Sequence, residues 1–211
     1  MKAVIWDWNG TLFNDVQVCI NSMNIVLKKY GLPIIKGLTE YKSIFRFPVI
    51  EYYSALGFDF EKYSFEQVAN EFISIYSIKS QHCKLNKNVR EILEEISLLN
   101  VNQMIVSASK EENLKCQVSK YCIEDYFTEI CGIMDVFAKS KYEIVEKAIM
   151  KNRYESNEVI MIGDTIHDYE IARRVGCRCI LYNKGHQNIE MAEVKNAVII
   201  GNLNEVIENI N

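Results

Sequence analysis

The chain is short of the features that mark linkers, membranes and nucleic-acid surfaces. Its 211 residues hold only two prolines and nine glycines. No stretch rich in Pro, Gly or Ser, no internal repeat and no low-complexity tract divides them, which argues against a tethered module. No apolar run approaches the roughly 18 residues of a membrane span, so no membrane partner is expected. No Lys/Arg-rich block stands out to track phosphates, and at a net charge of −4 nucleic acid is not an expected partner. The seven cysteines are odd in number and scattered, without a Cys-x-x-Cys pair. Cys177 and Cys179 lack a further His or Cys at ligand spacing, so all seven read as reduced thiols. No leader-like segment precedes the first apolar run, and the expected location is the cytoplasm, as a monomer or homodimer.

What is present begins at residue 3. Ala3-Val4-Ile5-Trp6 is an apolar run that ends in Asp7-Trp8-Asn9-Gly10-Thr11. A short apolar run closed by a turn signal suits a buried strand of a parallel sheet, whose ligands gather beyond the strands' carboxyl ends. The spacing then becomes helical: Val16, Ile20, Met23, Val26 and Leu27 share a face until Gly31 and Pro33 stop it. Helical patterning continues from 39 to 80 with no strand signal. A second strand ends at Ser107, and a third is expected over 126–134. The Val159–Ile162 run leads into Gly163-Asp164, and further runs lie at 178–182 and 197–200, with helices between. Strands alternating with helices predict an α/β fold, a doubly wound, mostly parallel sheet. Residues 14–84 read as a helical cap inserted into a core of 1–13 and 85–211, with hinges at 12–16 and 82–88. One of the two tryptophans flanking Asp7 is expected in the sheet and the other at the cleft, while Tyr52 and Tyr53 are expected in the cap's own core.

Asp7 with Asn9, Ser107, a lysine at 139 or 141, and Asp164 with Asp168 all fall at one edge of this sheet. The chemistry they suit is phosphoryl transfer through a phospho-aspartate. Carboxylates hold Mg²⁺, a hydroxyl and an ammonium bind the phosphoryl oxygens, and a carboxylate attacks in line.

At these residues the sequence resembles the haloacid dehalogenase superfamily, over nearly the whole chain. The motifs are Asp7-Trp8-Asn9-Gly10-Thr11, Ser107, a lysine before a helix, and Gly163-Asp164-Thr165-Ile166-His167-Asp168. The resemblance implies a Rossmann-like core and a Mg²⁺-dependent phosphatase of a small phosphorylated metabolite, similar to phosphoglycolate phosphatase. It implies that Asp7 is nucleophile and metal ligand, that position 9 offers its carbonyl to the metal, that Asp164 ligates directly, and that Asp168 belongs to the metal site or orients the lysine. Lys141 is preferred over Lys139, and Gly10, Thr11, Ser107 and Lys141 would hold phosphate.

Asn9 departs from the pattern. An amide cannot serve as general acid or base where the family's phosphatases have a carboxylate. This leaves a slow phosphatase, one for good leaving groups, or a nearly inactive protein that binds phosphate and metal. A phosphonoacetaldehyde hydrolase-like enzyme would need a poised cap lysine among Lys28, Lys29, Lys36 and Lys42. His167 is a candidate substitute acid/base, and Arg46, a polar break in an apolar stretch, is a candidate for binding the substrate.

Overall fold

The computed structural model describes residues 1–133, 141–190 and 194–210. The chain opens with β1 (Ala3–Trp6) and a two-residue strand β2 (Phe13–Asn14), and then forms four helices, α1 (Val16–Lys29), α2 (Leu38–Ile44), α3 (Val49–Ala55) and α4 (Phe65–Lys79). It returns through β3 (Lys84–Leu85), α5 (Val89–Leu98), β4 (Asn102–Lys110), α6 (Glu111–Lys120) and β5 (Glu129–Ile133). After the undescribed residues come α7 (Lys141–Lys151), β6 (Val159–Gly163), α8 (Ile166–Val175), β7 (Arg178–Tyr182), β8 (Val198–Ile200) and α9 (Glu205–Ile210).

Six strands form one sheet in the order β5-β4-β1-β6-β7-β8, and every neighbouring pair is parallel. From β1 the chain fills one half of the sheet and then, from β6, the other. The strand order therefore reverses at β1, which is where ligands of open α/β sheets bind. Val4 and Trp6 point into one apolar cluster, and Ala3 and Ile5 into the cluster on the opposite face. Burial on both faces is the reason the first strand reads as a continuous apolar run.

Three features differ from the sequence expectation. The second strand does not end at Ser107 but runs on to Lys110, with an irregular register after Val106. The third strand spans Glu129–Ile133, because Glu124–Tyr126 instead winds into a 3-10 turn; Met134 lies outside the described residues. The strands β2 and β3 pair as an antiparallel ribbon, with Phe13 opposite Leu85. Each is only two residues long, too short for alternation to show in the sequence. This ribbon joins the two chain crossings at either end of the helical segment.

Helices α1–α4 enclose an apolar cluster of their own, which includes Met23, Leu27, Tyr41, Tyr52, Tyr53 and Val68. No helix among the described residues is long and apolar enough to cross a membrane. Within this cluster the Tyr52 hydroxyl is buried without a hydrogen-bond partner. Removing an unsatisfied buried hydroxyl leaves nothing unpaired, so Tyr52→Phe is expected to be neutral or to stabilise by about 1 kcal/mol. Urea unfolding checks this, and a loss of stability would contradict it.

Candidate active site

Strand pairing continues one residue beyond β1: the Asp7 N–H donates to the Ile162 carbonyl at 2.8 Å. The Asp7 carboxylate therefore stands at the carboxyl end of the central strand, and Asp164 follows directly after the neighbouring strand β6. Lys141, at the start of α7, is buried and reaches both Asp7 Oδ1 and Asp168 Oδ1. Asp7, Asp164 and Asp168 can each offer an oxygen within 4.8 Å of the others.

Three buried carboxylates thus crowd together, and two of them, Asp7 and Asp168, share one ammonium. Burial, together with the neighbouring Asp168 and Asp164, holds Asp7 well above the usual carboxylate range despite Lys141. Burial pushes Asp164 up to about 6, with His186 opposing and Asp168 reinforcing the shift. Burial also raises Asp168, but Lys141 and the Thr165 hydroxyl outweigh it and hold Asp168 below the usual range. Lys141 is raised, because Asp168 and Asp7 overcome the cost of its burial. Negative charge is in excess, and all the convergent donors are oxygens, the set a hard divalent cation such as Mg²⁺ takes.

The other expected residues separate into those at the centre and those engaged elsewhere. Asn9 is held by its side chain. Its Nδ2 donates to Asp15 Oδ2 at 2.8 Å and to Tyr76 OH at 2.9 Å, and its Oδ1 accepts from Ser107 Oγ at 3.3 Å and Ser109 Oγ at 2.7 Å. Ser107 is buried beside it. Gly10 and Thr11, expected to hold phosphate, are spent on the protein itself. The Gly10 N–H is shared between Asp15 Oδ1 and the Phe13 carbonyl, both at 2.9 Å, and the Thr11 hydroxyl donates to Asp164 Oδ1 at 3.1 Å. Glycine is needed at position 10 for two reasons. Its φ is +74°, and a Cβ there would lie 2.3 Å from Asp164 Oδ2.

Asp168 has both oxygens occupied, one by Lys141 and the other by Thr165 in the capping box that starts α8. Its Oδ1 stands against the Lys141 ammonium. His167 stacks on Phe47 at 4.7 Å. Burial lowers its pKa, so it carries little charge at neutral pH. Arg46 is exposed, and its Nε donates to the Ile44 carbonyl two residues back. Lys139 lies outside the described residues. Among the cap lysines, Lys29 pairs with Glu71, while Lys42 crosses to the core and donates to the Asn183 carbonyl. Both tryptophans are core residues. The Trp6 indole N–H donates to Gln103 and that of Trp8 to Gln117, so neither borders the cleft.

Sequence reasoning missed a second buried cluster. Asp15 Oδ1 pairs with His186 Nε2 at 3.2 Å, and the Tyr76 hydroxyl donates to Asp15 Oδ2 at 2.7 Å. Asp15 precedes α1 and reads as a helix cap, while Gly185-His186-Gln187 reads equally as a segment closing over the site or as an exposed loop; burial decides for the first, with His186 4% exposed. Burial raises Asp15, but His186 and its other donors more than offset this and keep it lowered. Burial opposes charge on His186 as well, yet Asp15 moves its pKa from 6.5 to about 9. A raised folded value means that the pair's stabilisation is fully present below pH 6.5 and is lost as pH rises through about 9, on the order of 3 kcal/mol in all. From neutral pH to about 9 the thermal midpoint is expected to fall more steeply for the wild type than for His186→Gln. Equal slopes would contradict the assignment.

A parallel sheet with this strand order, a helical insertion after the first strand and carboxylates at two adjacent strand ends define an α/β class with a Rossmann-like core. The chain belongs to the haloacid dehalogenase-like hydrolase family, whose model matches residues 4–182. Among curated proteins it is 24% identical over 187 residues to a provisional pyrophosphatase, PpaX, of Caldanaerobacter subterraneus, covering 85% of this chain and 80% of that protein. It is 22% identical to the tyrosine-protein kinase PtkA of Mycobacterium tuberculosis, over 94% of this chain and 68% of the kinase. The solved structure of PtkA superposes with a TM-score of 0.84 at 20% identity, covering 100% of this chain and 98% of that one. A structure described as a predicted phosphoglycolate phosphatase from Haemophilus somnus superposes at 0.79 with 19% identity, covering 100% and 98%. At these identities the structural likenesses establish the fold.

Proposed function

We propose that the protein is a Mg²⁺-dependent phosphatase of a small phosphorylated metabolite, acting through a phospho-aspartate on Asp7. The observation that carries this is Asp7 at the central strand end, bound by buried Lys141 and within metal-sharing distance of Asp164. Asp7, Asp164 and the carbonyl of residue 9 are the groups that would hold Mg²⁺, with Asp168 beside them. The ion would offset the excess negative charge and polarise the phosphoryl group.

Lys141 and Ser107 bind phosphoryl oxygens and fix the group for in-line attack. An Asp7 oxygen forms a bond to phosphorus as the ester P–O bond breaks, and the leaving oxygen departs with that electron pair. Water then cleaves the phospho-aspartate, releasing phosphate and restoring Asp7. Helices α1–α4, within the 14–84 cap, act as a lid that excludes bulk water and selects the substrate.

Asn9 supplies no proton to the leaving oxygen, which favours substrates that need none. Loss of a general acid costs about 10² to 10⁴ in rate. The protein is therefore expected to hydrolyse an aryl phosphate far faster than an alkyl phosphate, and only with Mg²⁺. The second reading is a phosphate- and metal-binding protein with little turnover, favoured by the way four hydrogen bonds fix the Asn9 amide. Measuring both aryl phosphate loss and phosphate release, with Mg²⁺ and with chelator, decides between them. Mg²⁺-dependent release supports the phosphatase. Binding of inorganic phosphate without turnover supports the second reading. Loss of substrate without phosphate release would mean that an acceptor other than water takes the phosphoryl group.

A further inference from the structure

Asp15 occupies the N-cap position of α1, yet its side chain makes no cap hydrogen bond there. It turns inward and is 1% exposed. Its two oxygens gather donors from three parts of the molecule. The Gly10 N–H and the Asn9 amide come from the nucleophile loop, the Tyr76 hydroxyl from α4, and His186 Nε2 from the loop after β7.

His186 extends this network in two further directions. Its Nδ1 meets the hydroxyl of Tyr41, on α2, at 2.7 Å, and its backbone N–H donates to Asp164 Oδ2. Its ring also packs against Gly10, where an added Cβ would lie 2.5 Å from Cδ2. Tyr41, Asp15 and His186 are all buried, so breaking one link leaves a desolvated polar group unpaired. Both ring nitrogens of His186 are engaged, which makes it a joint in the structure and leaves no free nitrogen to reach a substrate.

We propose that Tyr41, His186 and Asp15 form a strut through which the docked helix α2 positions the nucleophile loop, so that Asn9 and Gly10 take their working geometry only when the cap is seated. Asp15 carries, one step back from the reaction, the fixed negative charge that position 9 lacks. All three are positioning residues. The kinetic arm of the test rests on the phosphatase reading; the exchange arm does not.

The test uses Tyr41→Phe, Asp15→Asn and their combination in the full chain, with Tyr52→Phe as the control that removes a hydroxyl bonded to nothing. The strut predicts that each single substitution lowers kcat for an aryl phosphate by about tenfold or more, with KM within about threefold. The double variant would lose no more than the worse single one, because the residues act as a unit. Where Asp15→Asn does not fold, Tyr76→Phe takes its place. Amide hydrogen exchange over residues 9–15 gives a readout that needs no turnover: it is expected to quicken in Tyr41→Phe and to stay unchanged in Tyr52→Phe. Wild-type exchange in Tyr41→Phe overturns the strut, as do losses in kcat that simply multiply. If the wild-type protein shows no turnover, the phosphatase reading fails and exchange alone decides the strut.

Discussion

Asp7→Asn is expected to abolish turnover of an aryl phosphate, a fall of about 10⁴ or more, since an amide is no nucleophile toward phosphorus. The same substitution should leave stability unchanged or improve it. Asp7 is one of three crowded buried carboxylates and shares the Lys141 ammonium with Asp168, and burial and like charge hold it well above its usual range. Replacing it with a neutral isostere removes that crowding and keeps the Lys141–Asp168 pair. A gain in stability with loss of activity is the pattern of a residue kept for chemistry at a cost to the fold. Denaturant unfolding of the metal-free protein measures the first part and the aryl phosphate assay the second. Retained activity contradicts the nucleophile assignment, and a destabilisation of about 3 kcal/mol or more, the range for breaking a needed buried pair, contradicts the crowding.

The second large effect is expected at Asn9→Asp, and it runs in two directions. The new carboxylate would sit about where Asn9 Nδ2 now donates to Asp15 Oδ2 at 2.8 Å. Two hydrogen bonds to the amide, those with Asp15 and Tyr76, would be lost or reversed, and two buried carboxylates would face each other. A cost of about 2 to 4 kcal/mol in stability follows. One member of such a pair takes up a proton near neutral pH, and a protonated carboxyl next to the nucleophile is the general acid that the wild type lacks. Alkyl phosphate hydrolysis is therefore expected to rise by about 10² or more while aryl phosphate hydrolysis changes little. A variant as stable as wild type would contradict the Asp15 contact. An unchanged alkyl rate would show that proton supply is not what limits the protein.

The sequence makes some of this legible and hides the rest, for physical reasons. Ala3–Trp6 and Val159–Gly163 declare themselves because burial on both sheet faces demands an uninterrupted apolar run, so the polar residues that end them stand out. Asp7, Ser107, Asp164 and a lysine at 139 or 141 could be placed together because the alternation of strands and helices puts them at one edge, and the family resemblance favoured Lys141. Asp15 and His186 lie 171 positions apart, and neither sits in a periodic pattern. A carboxylate before a helix reads as a cap, and a Gly-His-Gln segment reads equally as a loop or as a segment closing over the site, so their pairing exists only in the tertiary structure. The present partners of Gly10 and Thr11 were hidden for a related reason. Sequence motifs specify which groups are near a ligand but not where a backbone N–H or a hydroxyl points, and here Asp15 and Asp164 take both. One of the two tryptophans was expected at the cleft because nothing local reveals that Gln103 and Gln117 satisfy the two indole N–H groups.

The covalent step on Asp7 is the centre of the account and can be observed directly. The protein, mixed with Mg²⁺ and an aryl phosphate and quenched during turnover, is treated with borohydride, which reduces an aspartyl phosphate to homoserine, and is then digested and sequenced by mass spectrometry. Homoserine at position 7 in the wild type, and none in Asp7→Asn, is the predicted result. Hydrolysis that proceeds with residue 7 still aspartate at every quench time, or a label at another carboxylate, would contradict it.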